Sequence, residues 1–468
     1  MKKMLCLLLV MLMLPVAAMA ETVQLSPEDP QVLTLWHYYN GAQQQIFDQL
    51  VQTFNETVGM EKGIIISPVS QGGVNDLANK VIDSANRKTG SAKMPDIFGA
   101  YADTAHAINK LGLVADISKY MTAEEQAEYI ESYMDEGRLD AGNALKVFPI
   151  AKSTEMMLVN KTEWDTFAAA TGADVSLLST WEGVVEASRM YYEWSGGKAF
   201  FGRDAFANYI LIGSLQLGVE MFQVENGAMI LNIDEQVMRR LWDNYVVPYV
   251  NGWFGAYGRF RSDDVKTGQL VALVGSTSGA LYFPTEVTRD DGTSYPIECM
   301  SLLLPNFEGT APCAAQQGAG MVVSKSTPER EYAATVFLKW FTQESNNIDF
   351  SLKSGYMPVK KAANQPEVLQ QAMDEQGMTG LVRDIIDIGG QIASTYRLYT
   401  NKAFDNGYEA RQVVDTSMVK EAQEAAAQIQ ELVRGGMDRQ QAVELLTGDE
   451  AFAAWLAEFR VDMENAIR

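Results

Sequence analysis

The residues of this sequence best suited to chemistry are aromatic rings set beside amides and carboxylates. Trp36-His37-Tyr38-Tyr39-Asn40 is one such run, and Trp253-Phe254-Gly255-Ala256-Tyr257-Gly258 is a second. A polyhydroxylated solute carries hydroxyls around its edge and C–H patches on its faces. A site for it therefore combines flat apolar walls with a few placed polar groups. Tyr38, Tyr39 and Asn40 meet that requirement, whereas Trp36 continues an apolar run and reads as core. In the second run the glycines between rings do not suit a helical core stripe. They suit a loop whose rings face outward, with Trp253 or Tyr257 stacking on a ligand or packing inward. Gly275-Ser276-Thr277-Ser278-Gly279 is a third candidate, because small residues let a ligand approach free backbone N–H groups at a helix start. Arg203-Asp204 reads first as a plain surface ion pair of little energetic weight, and second as a contact to ligand hydroxyls.

Covalent and metal chemistry find little support. The chain has 2 histidines, His37 and His106, on separate elements. No Ser–His–acid pattern, HExxH or CxxC is present, and no Cys/His cluster suggests a metal site. Carboxylates are abundant, so a glycosidase pair stays open, because that chemistry needs two carboxylates flanking one bond and spacing in sequence does not reveal it. No cofactor is expected.

The elements that must position these residues alternate. Val32–Trp36 reads as a strand, and Ile46, Leu50, Val51 and Phe54 mark the face of a following helix. Residues 63–68 form a second strand, and Leu77, Val81 and Ile82 lie on the next helix. Residues 95–100 form a third strand, followed by a helix over 102–111. This alternation implies an α/β unit with parallel strands. Loops at the carboxyl ends of such strands face the ligand crevice, so residues 36–40, Ser70 with its neighbours, and Tyr101 with Asp103 converge on one edge. The stretch 145–160, broken by Pro149, reads as a first hinge with Glu155 just beyond it. Further strands are expected over 297–305 and 318–324. Ser326-Thr327-Pro328-Glu329 is a helix start, with a capping hydroxyl, a proline in the first turn and an acid at the positive end. Gly355-Tyr356-Met357-Pro358 reads as another crossover. The tail is helical after Lys420, with a break at Gly435-Gly436 and a new start at Asp438.

The compartment follows from the first residues. Lys2 and Lys3 precede an apolar run from Met4 to Leu14, and Ala18-Met19-Ala20 fits a small-x-small cleavage site. This pattern predicts a secretory signal peptide over residues 1–20 and a periplasmic location. Cys6 falls inside the apolar run, so lipidation is not expected. Most of the 468 residues remain after cleavage, more than one core usually holds, which favours two domains. The formal charge of −23 opposes binding to nucleic acid or an anionic membrane. An oxidising compartment permits a bridge between Cys299 and Cys313; two buried thiols are the alternative.

Several segments, in order, resemble one family. They are LTLWHYYNG, MPDIFGAYADTAHAINKLGLVADIS, VFPIAKSTEMMLVNKTEW, LSTWEGVVEASR, VKTGQLVALVGSTSGA, LLLPNFEGTAP, GAGMVVSKSTPEREYAATVFLKWFTQE and SGYMPV. Between about residue 32 and residue 365 the chain is similar to the family 1 extracellular solute-binding proteins, which include maltose- and glycerol-phosphate-binding proteins. The resemblance implies an α/β, two-lobe periplasmic-binding-protein fold. Each lobe would be a mixed, mainly parallel sheet flanked by helices, and hinge strands would join the two. Residues 21–149 and 314–356 would build the N-lobe, and 150–313 and 357–468 the C-lobe with its helical tail. The resemblance also implies capture of a small polar ligand, a sugar or oligosaccharide, for the permease of an ABC importer, by a monomer that closes at its hinge. It carries ligand contact onto Ser276 and Thr277. Glu155, Gln316, Gln317, Gly318 and Tyr356 lie by the crossovers and are further candidates, with Arg397 suited to an anionic ligand. Alternatives are a secreted carbohydrate-active enzyme and a ligand receptor for a sensor kinase. The aromatic stretch 251–260 and the long tail depart from the family pattern.

Overall fold

The computed structural model describes residues 23–468 other than 141, 143, 226, 227 and 290. The signal-peptide expectation lies outside the described residues. Two four-stranded sheets organise the chain. The first contains β1 (Gln31–His37), β2 (Ile64–Ser70), β3 (Ile97–Ala100) and β9 (Gly320–Val323), in the order β9-β3-β1-β2. β1 runs parallel to β2 and β3, and β9 is antiparallel to β3. The second sheet contains β4 (Glu155–Asn160), β5 (Phe201–Arg203), β6 (Ala272–Ser276) and β7 (Cys299–Leu302), in the order β7-β4-β6-β5. There β5 is parallel to β6, while β4 is antiparallel to both β6 and β7. Two short strands, β8 (Cys313–Ala315) and β10 (Arg397–Tyr399), pair in parallel near the crossing segments.

The pleat of β1 explains the first lobe. Leu33 and Leu35 bury against helices Gly41–Phe54 and Pro328–Phe341, while Trp36 faces the opposite core with Phe98 and Val322. Successive side chains of a strand point to opposite faces, so one strand serves both cores. The helix Pro328–Phe341 starts where the sequence indicates: Thr327 is its N-cap and its hydroxyl accepts from the Arg330 N–H.

Three chain segments cross between the sheets side by side. Ser153 and Gln317 exchange backbone hydrogen bonds of 3.0 and 2.8 Å, and Lys152 and Met357 exchange bonds of 3.0 and 2.6 Å. Gly318 is required there. Its φ is +92°, and a Cβ would lie 2.5 Å from the Ala151 carbonyl oxygen.

The tail differs from the sequence reading. Its long helix spans Gly407–Arg434, so it begins well before Lys420. Ala410, Val414, Met418, Ala422, Ala425 and Ile429 bury one stripe of it in the second core, and Phe452, Trp455 and Phe459 of the last helix join them. Polar residues dominate the first turns, which conceals this stripe from a periodicity reading. The break at Gly435 and the new start at Asp438 are present, and the Asp438 carboxylate accepts from the Gln440 and Gln441 N–H groups. Cys299 is half-buried and Cys313 is buried, and both are free thiols. Burial pushes them up to about 12 and about 11, which keeps them protonated and unreactive at neutral pH.

Candidate functional site

The ends of β1, β3, β4, β5 and β6 meet the three crossing segments, and a polar cluster collects there. Its centre is a buried ion pair. Arg203 Nη2 lies 2.7 Å from Glu155 Oε1, and the two side chains are 2% and 1% exposed. The Arg203 guanidinium also lies over the rings of Trp181 and Tyr209, at 5.7 and 5.5 Å. Burial pushes the Glu155 carboxyl above its ordinary range, while Arg203 and the neighbouring Asn208 side chain oppose that shift. The sequence reading of Arg203-Asp204 as a surface pair is therefore corrected. Arg203 turns inward to Glu155, and Asp204 instead faces Arg261. Burial pushes Asp204 up to about 6 against the pull of Arg261.

A second buried pair ties a crossing segment to the first lobe. Lys152 Nζ donates to Glu136 Oε2 at 2.5 Å and to the Gly318 carbonyl at 3.0 Å. Gln316 Nε2 donates to the same Glu136 oxygen at 2.7 Å. Around these pairs, Thr154 Oγ1, Gln316 Oε1 and Gln317 Oε1 are buried without a hydrogen-bond partner. Unpaired buried polar atoms are costly in a finished core; a polar solute would supply their missing partners.

The tyrosines divide. Tyr38 and Tyr356 meet through their hydroxyls at 3.2 Å, and the Ala319 N–H donates to Tyr38 Oη at 3.3 Å. Tyr101 lies nearby, and burial pushes it up to about 12. Tyr39, by contrast, packs in the first core against Phe47, Phe350 and Tyr356. Ser70 donates its hydroxyl to the Tyr39 carbonyl. Asn40 stands at the rim, where its carbonyl accepts from Tyr282 Oη of the other lobe at 3.1 Å.

Asp103 is buried at the start of the helix Ala102–Lys110 and accepts from the Thr104 N–H at 2.6 Å. Ser276 caps the short helix Thr277–Ala280, and its hydroxyl also reaches Ser153 Oγ at 3.1 Å. Thr277 is fully buried, and its N–H donates to the Thr154 carbonyl. The second aromatic run divides between the two alternatives that its sequence leaves open. Phe254 is buried and Trp253 packs against the second core, leaving Tyr257 exposed. The cause is backbone pairing: Phe200 N donates to the Trp253 carbonyl and Gly255 N to the Phe201 carbonyl, which fastens this loop beside β5. Arg397 is two-thirds exposed, on the surface beside Glu220 at 3.9 Å.

The structure thus brings together Tyr38, Tyr101, Asp103, Glu155, Arg203, Ser276, Gln317 and Tyr356. It packs Tyr39 into the first core and Trp253 against the second, buries Thr277 against Thr154, and leaves Arg397 outside. Sequence reasoning missed Glu136, Lys152 and Arg411. Lys152 had a signal, as a lone cation inside the apolar hinge stretch. Arg411 had none, because it arrives from the tail: its guanidinium lies 5.1 Å from the centre of the Tyr101 ring. Two grooves on the tail, one lined by Gln428, Leu432 and Met437 and the other by Arg239, Asn251 and Arg439, are open to solvent and lack such buried pairs.

Among the described residues no helix is long and apolar enough to cross a membrane, and no group of three or more His, Cys, Asp or Glu is arranged to hold a metal ion. No curated protein matches the chain. Solved structures share its fold. A Mycobacterium tuberculosis protein in complex with glycerophosphocholine superposes with a TM-score of 0.67 at 14% identity, over 94% of this chain and 100% of that one. A maltose/maltodextrin-binding domain from Bdellovibrio bacteriovorus bound to maltotriose gives 0.65 at 11% identity, over 94% and 100%. The cyclic alpha-maltosyl-1,6-maltose binding protein from Arthrobacter globiformis gives 0.63 at 17% identity, over 92% and 100%. A family model described as bacterial extracellular solute-binding protein matches residues 49–375. Two sheets joined by three crossing segments, a polar cluster between them and that match agree: the chain belongs to the bacterial extracellular solute-binding proteins.

Proposed function

We propose that this protein captures a small polar solute, a sugar or short oligosaccharide, between its lobes and presents it to the permease of an ABC importer. The observation that carries this reading is the buried Glu155–Arg203 pair beside three buried polar atoms without partners, all at the crossing segments. A ring of hydroxyls satisfies such groups, and Tyr38 and Tyr101 supply apolar walls. The maltotriose and cyclic-maltosyl-maltose binders among the similar structures support a saccharide. The glycerophosphocholine complex supports a polyol phosphate as the next class to test.

On this reading residues 21–149 and 314–356 form one lobe, and 150–313 and 357–468 the other. Ligand contacts come from Tyr38, Asn40, Tyr101, Asp103, Glu155, Arg203, Ser276, Gln317 and Tyr356, with Tyr257 at the rim. The chain works as a secreted, periplasmic monomer, and no bond in the solute is broken. A ligand that touches both lobes favours the closed form by its differential affinity for the two forms.

A thermal-shift screen over sugars, polyols and sugar phosphates tests this, followed by chromatography of the incubated solute. A rise in melting temperature that grows with solute concentration, with the solute recovered intact, is expected. Turnover of the solute, or no shift across the panel, would overturn the reading.

A further inference from the structure

We propose that Asp405, Tyr408 and Arg411, at the entry to the tail helix, form a latch that holds the cleft closed. This deepens the capture reading by naming what controls closure of that same site.

The segment is anchored in the second lobe on both sides. Phe404 is buried there against Phe222, with ring centres 5.1 Å apart. One turn beyond the latch, the Asp415 carboxylate accepts from the Ala207 N–H at 2.7 Å. Between these anchors the chain reaches the first lobe three times. Asp405 accepts from Lys110 Nζ at 2.6 Å and meets His106 Nε2 at 3.0 Å. His106 and Lys110 stand four residues apart, on one face of the helix Ala102–Lys110. Tyr408 Oη donates to Asn79 Oδ1 at 3.1 Å. Arg411 then lies over the Tyr101 ring.

The spacing explains the alignment. Residues three apart share a helix face, so Tyr408 and Arg411 point the same way. Asn406, in the left-handed region at φ +59°, bends the chain so that Asp405 continues that face ahead of the helix. Arg411 Nε is buried and has no partner, and Arg411 pairs with no carboxylate within 4 Å among the described residues. The arginine therefore enters the solute site with hydrogen-bonding capacity to spare. One turn from Asn79 on the helix Val74–Ala85, a further contact between the lobes is looser: Arg259 and Asp76 are 4.0 Å apart and both are exposed. The latch lies beyond residue 375, where the family match ends.

Asp405 is 60% exposed. Its ion pair is screened by salt and each contact is weak. Three contacts on one helix face act together, so removal of Asp405 is expected to raise the open-to-closed ratio about threefold.

Small-angle scattering on the solute-free, full-length mature protein reads this ratio. The wild type, Asp405→Lys, Lys110→Asp and the combined charge reversal are compared at low and high salt, with Lys88→Ala, which breaks an exposed ion pair inside the first lobe, as the control. Melting temperature confirms that each variant is folded. The expected result is expansion of both single variants, recovery of compaction in the combined variant, loss of the difference at high salt, and little change in the control. Identical scattering from wild type and single variants, or a wild type that is open and insensitive to salt, would overturn the latch. Failure of the capture reading shows elsewhere, as absence of any solute-induced melting shift, and leaves this comparison readable.

Discussion

Glu155 and Arg203 are each worth little to the fold alone and much as a pair. Taking two charges out of water is expensive, and only good geometry with further hydrogen bonds offsets it. Glu155→Ala leaves the guanidinium buried between Trp181 and Tyr209 without its carboxylate. We expect a loss of about 3–5 kcal/mol in unfolding free energy, measured by urea denaturation, together with loss of solute binding. Glu155→Gln keeps the shape and an acceptor, so it should cost less stability while still weakening binding. His37 gives a pH signature. Burial lowers its pKa to about 4, so the folded chain keeps it neutral while the unfolded chain protonates near 6.5. Its contribution is fully present above about pH 6.5 and is lost as the pH falls toward 4. Urea midpoints at pH 7 and pH 5 should differ by about 2 kcal/mol in stability from this residue, and His37→Gln should narrow that difference. At this scale the sequence was only partly informative. Tyr38 and Tyr39 are adjacent and chemically alike, yet alternation along the chain sends one to the site and the other into the core.

At the scale of elements, the crossing segments and the tail carry the consequences. Gly318→Ala places a Cβ 2.5 Å from the Ala151 carbonyl oxygen at a positive φ. The strain should cost about 1–3 kcal/mol, seen as a lower melting temperature. Met418 is buried in the stripe that joins the tail helix to the second core. Met418→Ala should cost about 2–5 kcal/mol by opening a cavity, measured by chemical denaturation, with solute affinity unchanged in the folded fraction. Helix starts were legible, because Thr327 and Asp438 cap their own chain. The tail's beginning was not, because Asn406 and Gly407 open it without a side-chain cap.

For the whole molecule, solute binding must register as stability. A solute at one hundred times its dissociation constant adds about 2.7 kcal/mol to the folded state. The melting temperature should therefore climb with the logarithm of solute concentration, and a plateau at stoichiometric solute would contradict simple two-state linkage. Closure should also lower the radius of gyration when the same solute saturates the protein.

The sequence by itself determined the α/β alternation, the strand ends that face the crevice, and the positions where the chain breaks near residues 150 and 357. Local rules suffice there, since apolar spacing, caps and left-handed glycines act within a few residues. Only the tertiary structure decided that Glu155 meets Arg203, that Lys152 meets Glu136, and that Arg411 reaches Tyr101. Those contacts depend on how two sheets and a distant helix are set against each other, and packing over long separations leaves no periodicity to read.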